Sequence, residues 1–392
     1  MKKFLKALKV LACVVVALAV LVYGGVFLGH KVIFKGETSD VPTIPPAQNA
    51  EFTLGAQAHT QPVTMDEYTE LLARQVKRHG EVAPALWPDN ALTGKSLIIE
   101  ALDGGALRII SPDGEIRDIS KDELAERGVI RAQYFNGFSD FDGGAYVAAS
   151  SEDLKNCLIW QKYLHLGSYD PFITFVHESF HTEEQPRWAN ADHLPNADAR
   201  DEYLDDIHAR AKRALLQRQL LAAVASPGEE APILDALATY EDYKTQFPDD
   251  YKNSVYSDRM EGTAFYYELV ACLYAAYPEQ VTDRESLHRA LALLATRDDV
   301  YVEYGLVTEG YHVGGFASVL LDRLSDDWQA RLMADAETTP IEMLSRHFAG
   351  ALLPAPRPVT EEDIRATEAA IAQKNESGGA VYLFKMLYNI LF

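Results

Sequence analysis

Cysteine is scarce in this sequence, and basic side chains are well outnumbered by acidic ones. Three cysteines in 392 residues, Cys13, Cys157 and Cys272, are too few and too scattered for a disulfide scaffold or a cysteine-ligated zinc site. At most one bridge, Cys157 to Cys272, can form outside the first segment. Lys and Arg number 36 against 58 Asp and Glu, a net charge of −22. That balance argues against a surface that neutralises phosphates over a long stretch, and so against nucleic acid as a partner. No internal repeat and no long low-complexity tract is present, and 48 % hydrophobic with 24 % charged residues is the balance of a folded chain rather than a disordered or fibrous one.

The scarce positive charge is unevenly placed. Residues 1–35 hold six lysines and no acid. Lys2, Lys3, Lys6 and Lys9 precede an uncharged run from Val10 to Gly29, the roughly 20 residues that a helix needs to cross a bilayer core. We read residues 1–32 as an uncleaved signal anchor, a single-pass transmembrane helix with its lysines in the cytoplasm and the body outside it, periplasmic or extracellular. The competing reading is a cleaved signal peptide with its small-x-small site at Ala17-Leu18-Ala19; cutting there would leave Val20 to Leu28 as an apolar new terminus. Residues 33–63, with Pro42, Pro45 and Pro46 and no helical period, read as a tether.

From Thr64 the chain reads as a folded body. Thr64-Met65-Asp66-Glu67 is a capping box that opens a helix expected over 65–79. Runs at 97–99, 107–110 and 115–119, separated by Asp103-Gly104-Gly105 and Pro112-Asp113-Gly114, predict a small antiparallel meander, and Ala145–Ala149 another strand. Beyond Tyr163 the apolar period is helical, giving helices at 171–185, 197–224, 231–246, 256–277, 283–296, 312–324, 326–336, 360–374 and 379–391. The expected class is α+β, with a mixed part over 64–165 and a mainly helical part over 166–392.

The chemistry concentrates in Pro171-Phe172-Ile173-Thr174-Phe175-Val176-His177-Glu178-Ser179-Phe180-His181, an H-E-x-x-H on a helix. The i,i+4 spacing sends both imidazoles off one face toward a single metal ion, with Glu178 beside them as a base for a water held there. Apolar flanks would bury this trio, and buried ionisable groups need a partner such as an ion. The bland alternative is two core histidines and a surface glutamate. A catalytic zinc needs a third protein ligand and one open position. The extended H-E-x-x-H-x-x-G-x-x-H is excluded, because Glu184 and Arg187 stand at its last two positions. A straight helix would also carry Glu184 too far along the axis to share the ion.

Downstream, Asp258-Arg259-Met260-Glu261-Gly262-Thr263-Ala264-Phe265-Tyr266-Tyr267-Glu268 opens an apolar helix, and with it the chain resembles the gluzincin group of zinc metallopeptidases over residues 165–325. The resemblance implies a zincin-like fold, Zn2+ held by His177, His181 and Glu261, and Glu178 as general base. Gly262 and Ala264 would let the Glu261 helix approach the His helix, and Glu268 would orient a histidine. A later segment, Glu309-Gly310-Tyr311-His312-Val313-Gly314-Gly315-Phe316, would supply a donor to the oxyanion from Tyr311 or His312, a choice the sequence leaves open. No Gly-x-Met-Glu-Asn segment of the aminopeptidases in this group occurs. The leading expectation is a membrane-anchored, extracytoplasmic zinc metallopeptidase acting on a peptide or protein substrate. Two other readings are a zinc amidase or esterase acting on another envelope compound, and a non-catalytic tethered binding or assembly protein with a structural or vestigial metal site.

Overall fold

Thr64 sets the first boundary as expected: its hydroxyl accepts the Glu67 N–H at 3.2 Å while a Glu67 carboxylate oxygen takes the Thr64 N–H at 2.8 Å. The computed structural model in which these bonds are seen describes residues 47–54, 64–102, 106–129, 137–149, 171–189, 206–296, 302 and 304–372. Helix α1 (Met65–Leu86) runs a full two turns past the expected end at 79. Gly80 and Pro84 are poor helix formers, but buried His79, Ala83 and Leu86 continue the apolar stripe, and packing overrides propensity.

The strands are β1 (Ala47–Gln48), β2 (Thr53–Leu54), β3 (Ser96–Ala101), β4 (Leu107–Ile110), β5 (Ile116–Asp118), β6 (Gly137–Phe141) and β7 (Gly144–Ala149), with a short helix α2 (Lys121–Glu126) between β5 and β6. The main sheet has the order β5-β4-β3-β7-β6. The meander β3-β4-β5 is antiparallel as expected. However, β7 lies parallel to β3, with Ile98 opposite Tyr146, and β6 is antiparallel to β7. The sheet is therefore mixed, which corrects the expectation of an antiparallel one. A parallel partner requires a long crossover, and α2 lies on that crossover; the apolar alternation of 145–149 carries no information about direction. Gly144 starts the pairing because a Cβ there would lie 2.1 Å from the Ser96 carbonyl oxygen. Leu97, Ile99, Ala145 and Val147 face the helices, whereas Ile98, Tyr146 and Ala148 form a second small core. On that side the Tyr146 hydroxyl donates to buried Glu100 at 2.6 Å.

The helical part holds α3 (Pro171–Ser179), a π turn (Phe180–Glu184), a 3-10 turn (Gln185–Arg187), α4 (Ile207–Ala225), α5 (Ala231–Gln246), α6 (Pro248–Ala276), α7 (Arg284–Leu294), α8 (Leu306–Leu324), α9 (Trp328–Ala334) and α10 (Pro340–His347). A further helix covers 361–372. The whole is mainly helical. Helix α6 is its axis, packed against α1, α3, α5, α7, α8 and α10. Its contact with α8 is backbone on backbone: a Cβ on Gly262 would sit 2.4 Å from the Gly314 Cα, and one on Gly314 only 1.8 Å from the Asp258 carbonyl oxygen.

Two arginines of α4 are buried in this joint. Arg210 pairs with Asp250 and Glu309, while Arg213 reaches Asp258 at 3.1 Å and Glu309 at 2.8 Å. Glu309 also accepts the Gly305 N–H at 3.0 Å, and Tyr243 donates to Asp250. Asp250 explains why α6 begins at 248 and not 256: its first turn is needed to answer Arg210. Removing one member strands the others without water, so Arg213→Met is expected to cost about 3 to 5 kcal/mol. Guanidinium unfolding at neutral pH measures it; a loss under about 1 kcal/mol would mean that solvent reaches the network.

Two further expectations need correction. Part of the tether is structured: β1 and β2 form a two-stranded sheet, because Phe52 and Leu54 are apolar enough to bury in the main core. Thr53 N–H donates to Gln280 at 3.0 Å, and Glu51 pairs with Arg289 of α7 at 3.0 Å. The expected α+β architecture led by a transmembrane helix is not supported either, since no helix among the described residues is long and apolar enough to cross a membrane. Residues 1–32, on which that expectation fell, lie outside the described residues, as does the helix expected at 379–391. Cys272 is buried; Cys157 also lies outside the described residues.

Candidate metal centre

Pro171 opens α3, and Phe172, Phe175, Val176 and Phe180 are fully buried, so the apolar positions of the motif press the helix onto the sheet and α6. The opposite spacing, 177 and 181, leaves two imidazoles side by side, ring centroids 4.8 Å apart. The helix does not continue straight. At Phe180 it widens, the Gln185 N–H bonding back to the Phe180 carbonyl, and such single π turns are frequent at functional sites.

His177 Nε2 and His181 Nε2 are 3.1 Å apart. Glu261, from the middle of α6, brings a carboxylate oxygen to 3.2 Å from His181 Nε2 and 3.7 Å from His177 Nε2. The three ligand atoms all lie within 4.8 Å of one another. The other ring nitrogens are engaged: His177 Nδ1 meets Glu268 at 3.0 Å, and His181 Nδ1 meets the Gln185 side-chain oxygen at 2.8 Å. Both partners are acceptors, so each Nδ1 carries a hydrogen and each Nε2 is the nitrogen turned inward. Two imidazole nitrogens and a carboxylate converging on one point suit a cation placed among them. The donor set, two imidazoles and one carboxylate, is that of a catalytic zinc with one position left for water. The residues fit the metal.

Electrostatics agree. Burial alone would lower His177, but its hydrogen bonds to the Glu261 and Glu268 carboxylates push it up to about 10. Burial would raise Glu261, yet His177 and His181 hold it well below the usual carboxylate range. Burial keeps Glu268 above its ordinary value against the pull of His177. The centre is a pocket for positive charge.

The remaining expected residues divide. Glu178 is half-buried and close enough for its charge to act on both Glu268 and Tyr311. Tyr311 lies at the centre: its ring stacks on His177 at 5.2 Å and 5°. Its hydroxyl bonds to Glu261, and burial with that carboxylate pushes its pKa up, so the O–H stays protonated. His312 does not join them. One residue on along α8, its side chain points roughly 100° away. There its Nδ1 meets Gln217 at 2.9 Å, its ring stacks on Phe316, and it borders a cavity of about 30 Å³ with Leu269 and Leu291. Of the two, Tyr311 is the one whose side chain lies beside the converging groups.

Glu184, the residue set aside on helix geometry, is buried and takes N–H groups from Ala91 at 2.9 Å and the Trp188 indole at 3.3 Å. It ties down the chain after α1. Gly262 faces α8 and not the His helix, contrary to expectation; toward the π turn α6 presents the Met260 carbonyl and the Thr263 hydroxyl, both bonded by Gln185. Gln185 was missed in the sequence, where its only signal is a polar side chain four residues after His181.

Comparisons of the chain with family models, curated proteins and solved structures find no match.

Two histidines outside the centre are buried without charge: burial lowers His312 to about 3 and His79, which meets the Tyr267 hydroxyl at 2.7 Å, to about 4. In the unfolded chain both titrate near 6.5. Between those values the unfolded state binds more protons, so stability rises with pH and is lost as pH falls from about 6.5 toward 4, by roughly 3 kcal/mol for His79 alone. Unfolding measured across this range should show the slope, and His79→Gln should flatten it.

Proposed function

We propose that this chain is a zinc-dependent hydrolase that cleaves peptide bonds, a metallopeptidase of the gluzincin kind in its ligand set. The observation that carries the reading is the convergence of His177 Nε2, His181 Nε2 and the Glu261 carboxylate on one point, with an unligated acid, Glu178, next in sequence to the first ligand. A structural site needs no such base. His177, His181 and Glu261 would hold the metal, which when bound supplies Lewis acidity and an acidified water at neutral pH. Glu178 takes the proton of the attacking water and returns it to the leaving amine nitrogen, a task for a carboxylate within one water of the reacting atoms. Tyr311, kept protonated, donates its O–H to the oxygen that gains charge as the carbonyl is attacked. Its present bond to Glu261 holds the phenol at the rim of the site until substrate arrives. Glu268 and Gln185 fix the two imidazole tautomers.

The test is metal content and activity of the full chain. Purified with zinc available, the wild type is expected to carry one zinc per chain and His177→Ala none. Chelation should abolish hydrolysis of a mixed peptide library and zinc should restore it. A wild type without stoichiometric zinc would overturn the reading.

A further inference from the structure

We propose that Gln185 is a positioning residue that couples the two halves of the metal centre, resting on the zinc-hydrolase reading above. Its side chain is 1 % exposed and makes three contacts with two separate elements. The amide nitrogen donates to the Met260 carbonyl at 2.7 Å and to the Thr263 hydroxyl at 3.1 Å. Only the nitrogen can serve a carbonyl, so the amide oxygen is the atom that faces His181 Nδ1 at 2.8 Å. One amide group thereby fixes which nitrogen of His181 is left to bind and grips α6 on either side of Glu261, at the residues one before it and two after.

The separation of tasks is physical. His177 has its own orienting acid, Glu268, carried by α6. For His181 Nδ1 the acceptor found among the described residues is Gln185 and not a residue of α6. The π turn makes this possible, since it places residue 185 directly after the widened turn that begins at Phe180. Its donor arm reaches the Met260 carbonyl where α6 faces the π turn. A carboxylate at 185 could accept from His181 but would meet the Met260 carbonyl acceptor to acceptor. A longer cation would reverse the imidazole preference. Glutamine alone among the polar residues offers an acceptor to one partner and a donor to the other at this length.

The experiment uses the full chain, with zinc as the probe. Zinc affinity is measured by competition with a chelating dye for wild type, Gln185→Met and Gln185→Asn, the last an amide one methylene too short to span both contacts. Orienting partners of ligating histidines are worth about 10 to 100-fold in metal affinity, and a loss of that size is expected for both variants. The second readout needs no metal: long-range proton–nitrogen spectra of the metal-free protein, which tell the two ring nitrogens of His181 apart. Wild-type His181 should carry its hydrogen on Nδ1, and Gln185→Met should lose that preference. If wild type binds zinc and both variants bind it equally tightly, the coupling role is overturned and the zinc reading stands. If wild type binds no zinc, the zinc reading fails and the spectra decide Gln185 alone. An unchanged His181 tautomer in the variants overturns the proposal.

Discussion

Glu178→Gln is expected to keep zinc content and the unfolding midpoint of the wild type while kcat/KM for peptide hydrolysis falls by at least about 10²-fold, the effect typical of removing a general base. Glutamine has nearly the volume of glutamate and cannot take a proton. Because Glu178 is not among the three converging groups, the change leaves the ligand set whole. The contrast is Glu261→Gln, which should weaken zinc binding itself, since a neutral amide is a poorer ligand than a carboxylate. Turnover at the wild-type rate in Glu178→Gln, with zinc bound, would remove the base from the mechanism and favour a structural metal.

Gly314→Ala should be the most damaging single methyl among the described glycines. The added carbon would lie 1.8 Å from the Asp258 carbonyl oxygen and 2.8 Å from the Gly262 Cα, and both neighbours are helix backbone that cannot turn aside. Helix α8 must move off α6. Overpacking of this kind costs about 1 to 3 kcal/mol or more. The displacement also opens the joint that holds Arg213 between Asp258 and Glu309 and draws Tyr311 off the His177 ring. A shift of about 1 Å at a reacting site can cost about 10²-fold in rate, so activity should fall further than the lost stability explains. Gly350→Ala is the control, with nothing within 4 Å of the new carbon. If Gly314→Ala unfolds and turns over like the control, the close crossing does not govern the site.

Local chemistry was the legible part of the sequence. The Thr64 capping box, the i,i+4 histidines and the strand punctuation by Asp103-Gly104-Gly105 are signals carried by residues a few positions apart, and the structure has the corresponding elements. The Thr339-Pro340-Ile341-Glu342 box that starts α10 was equally readable and was overlooked. What depended on distant partners was not readable. Arg210 and Arg213 look like the wet face of a helix until Asp250, Asp258 and Glu309, 40 to 99 residues away, are placed around them. The direction of β7 is set by what lies between the strands and not by its own apolar pattern. The helix expected at 312–324 begins six residues earlier, at Leu306, and its glycines 310 and 314 serve the crossing with α6. At the site, Glu261 was found through its flanks for the wrong physical reason: Gly262 makes room for α8. Beside the bond from His177 to Glu268, the His segment is tied to α6 by Gln185, whose meaning depends on a π turn that no short-range pattern announced.

The small hairpin of β1 and β2 has a mechanical consequence. Any tension applied through residues 1–46 arrives at Phe52, Thr53 and Leu54, and passes by way of Gln280 and Arg289 to the far end of α6 and to α7. Glu261 is 15 residues from Ala276, the last residue of α6, about 22 Å along a helix that rises 1.5 Å per residue. Two-residue strands with one ion pair are the weakest fastening in that line. A disturbance of this hairpin therefore meets α6 at the end remote from Glu261, with the buried Phe52 and Leu54 as its hold on the core.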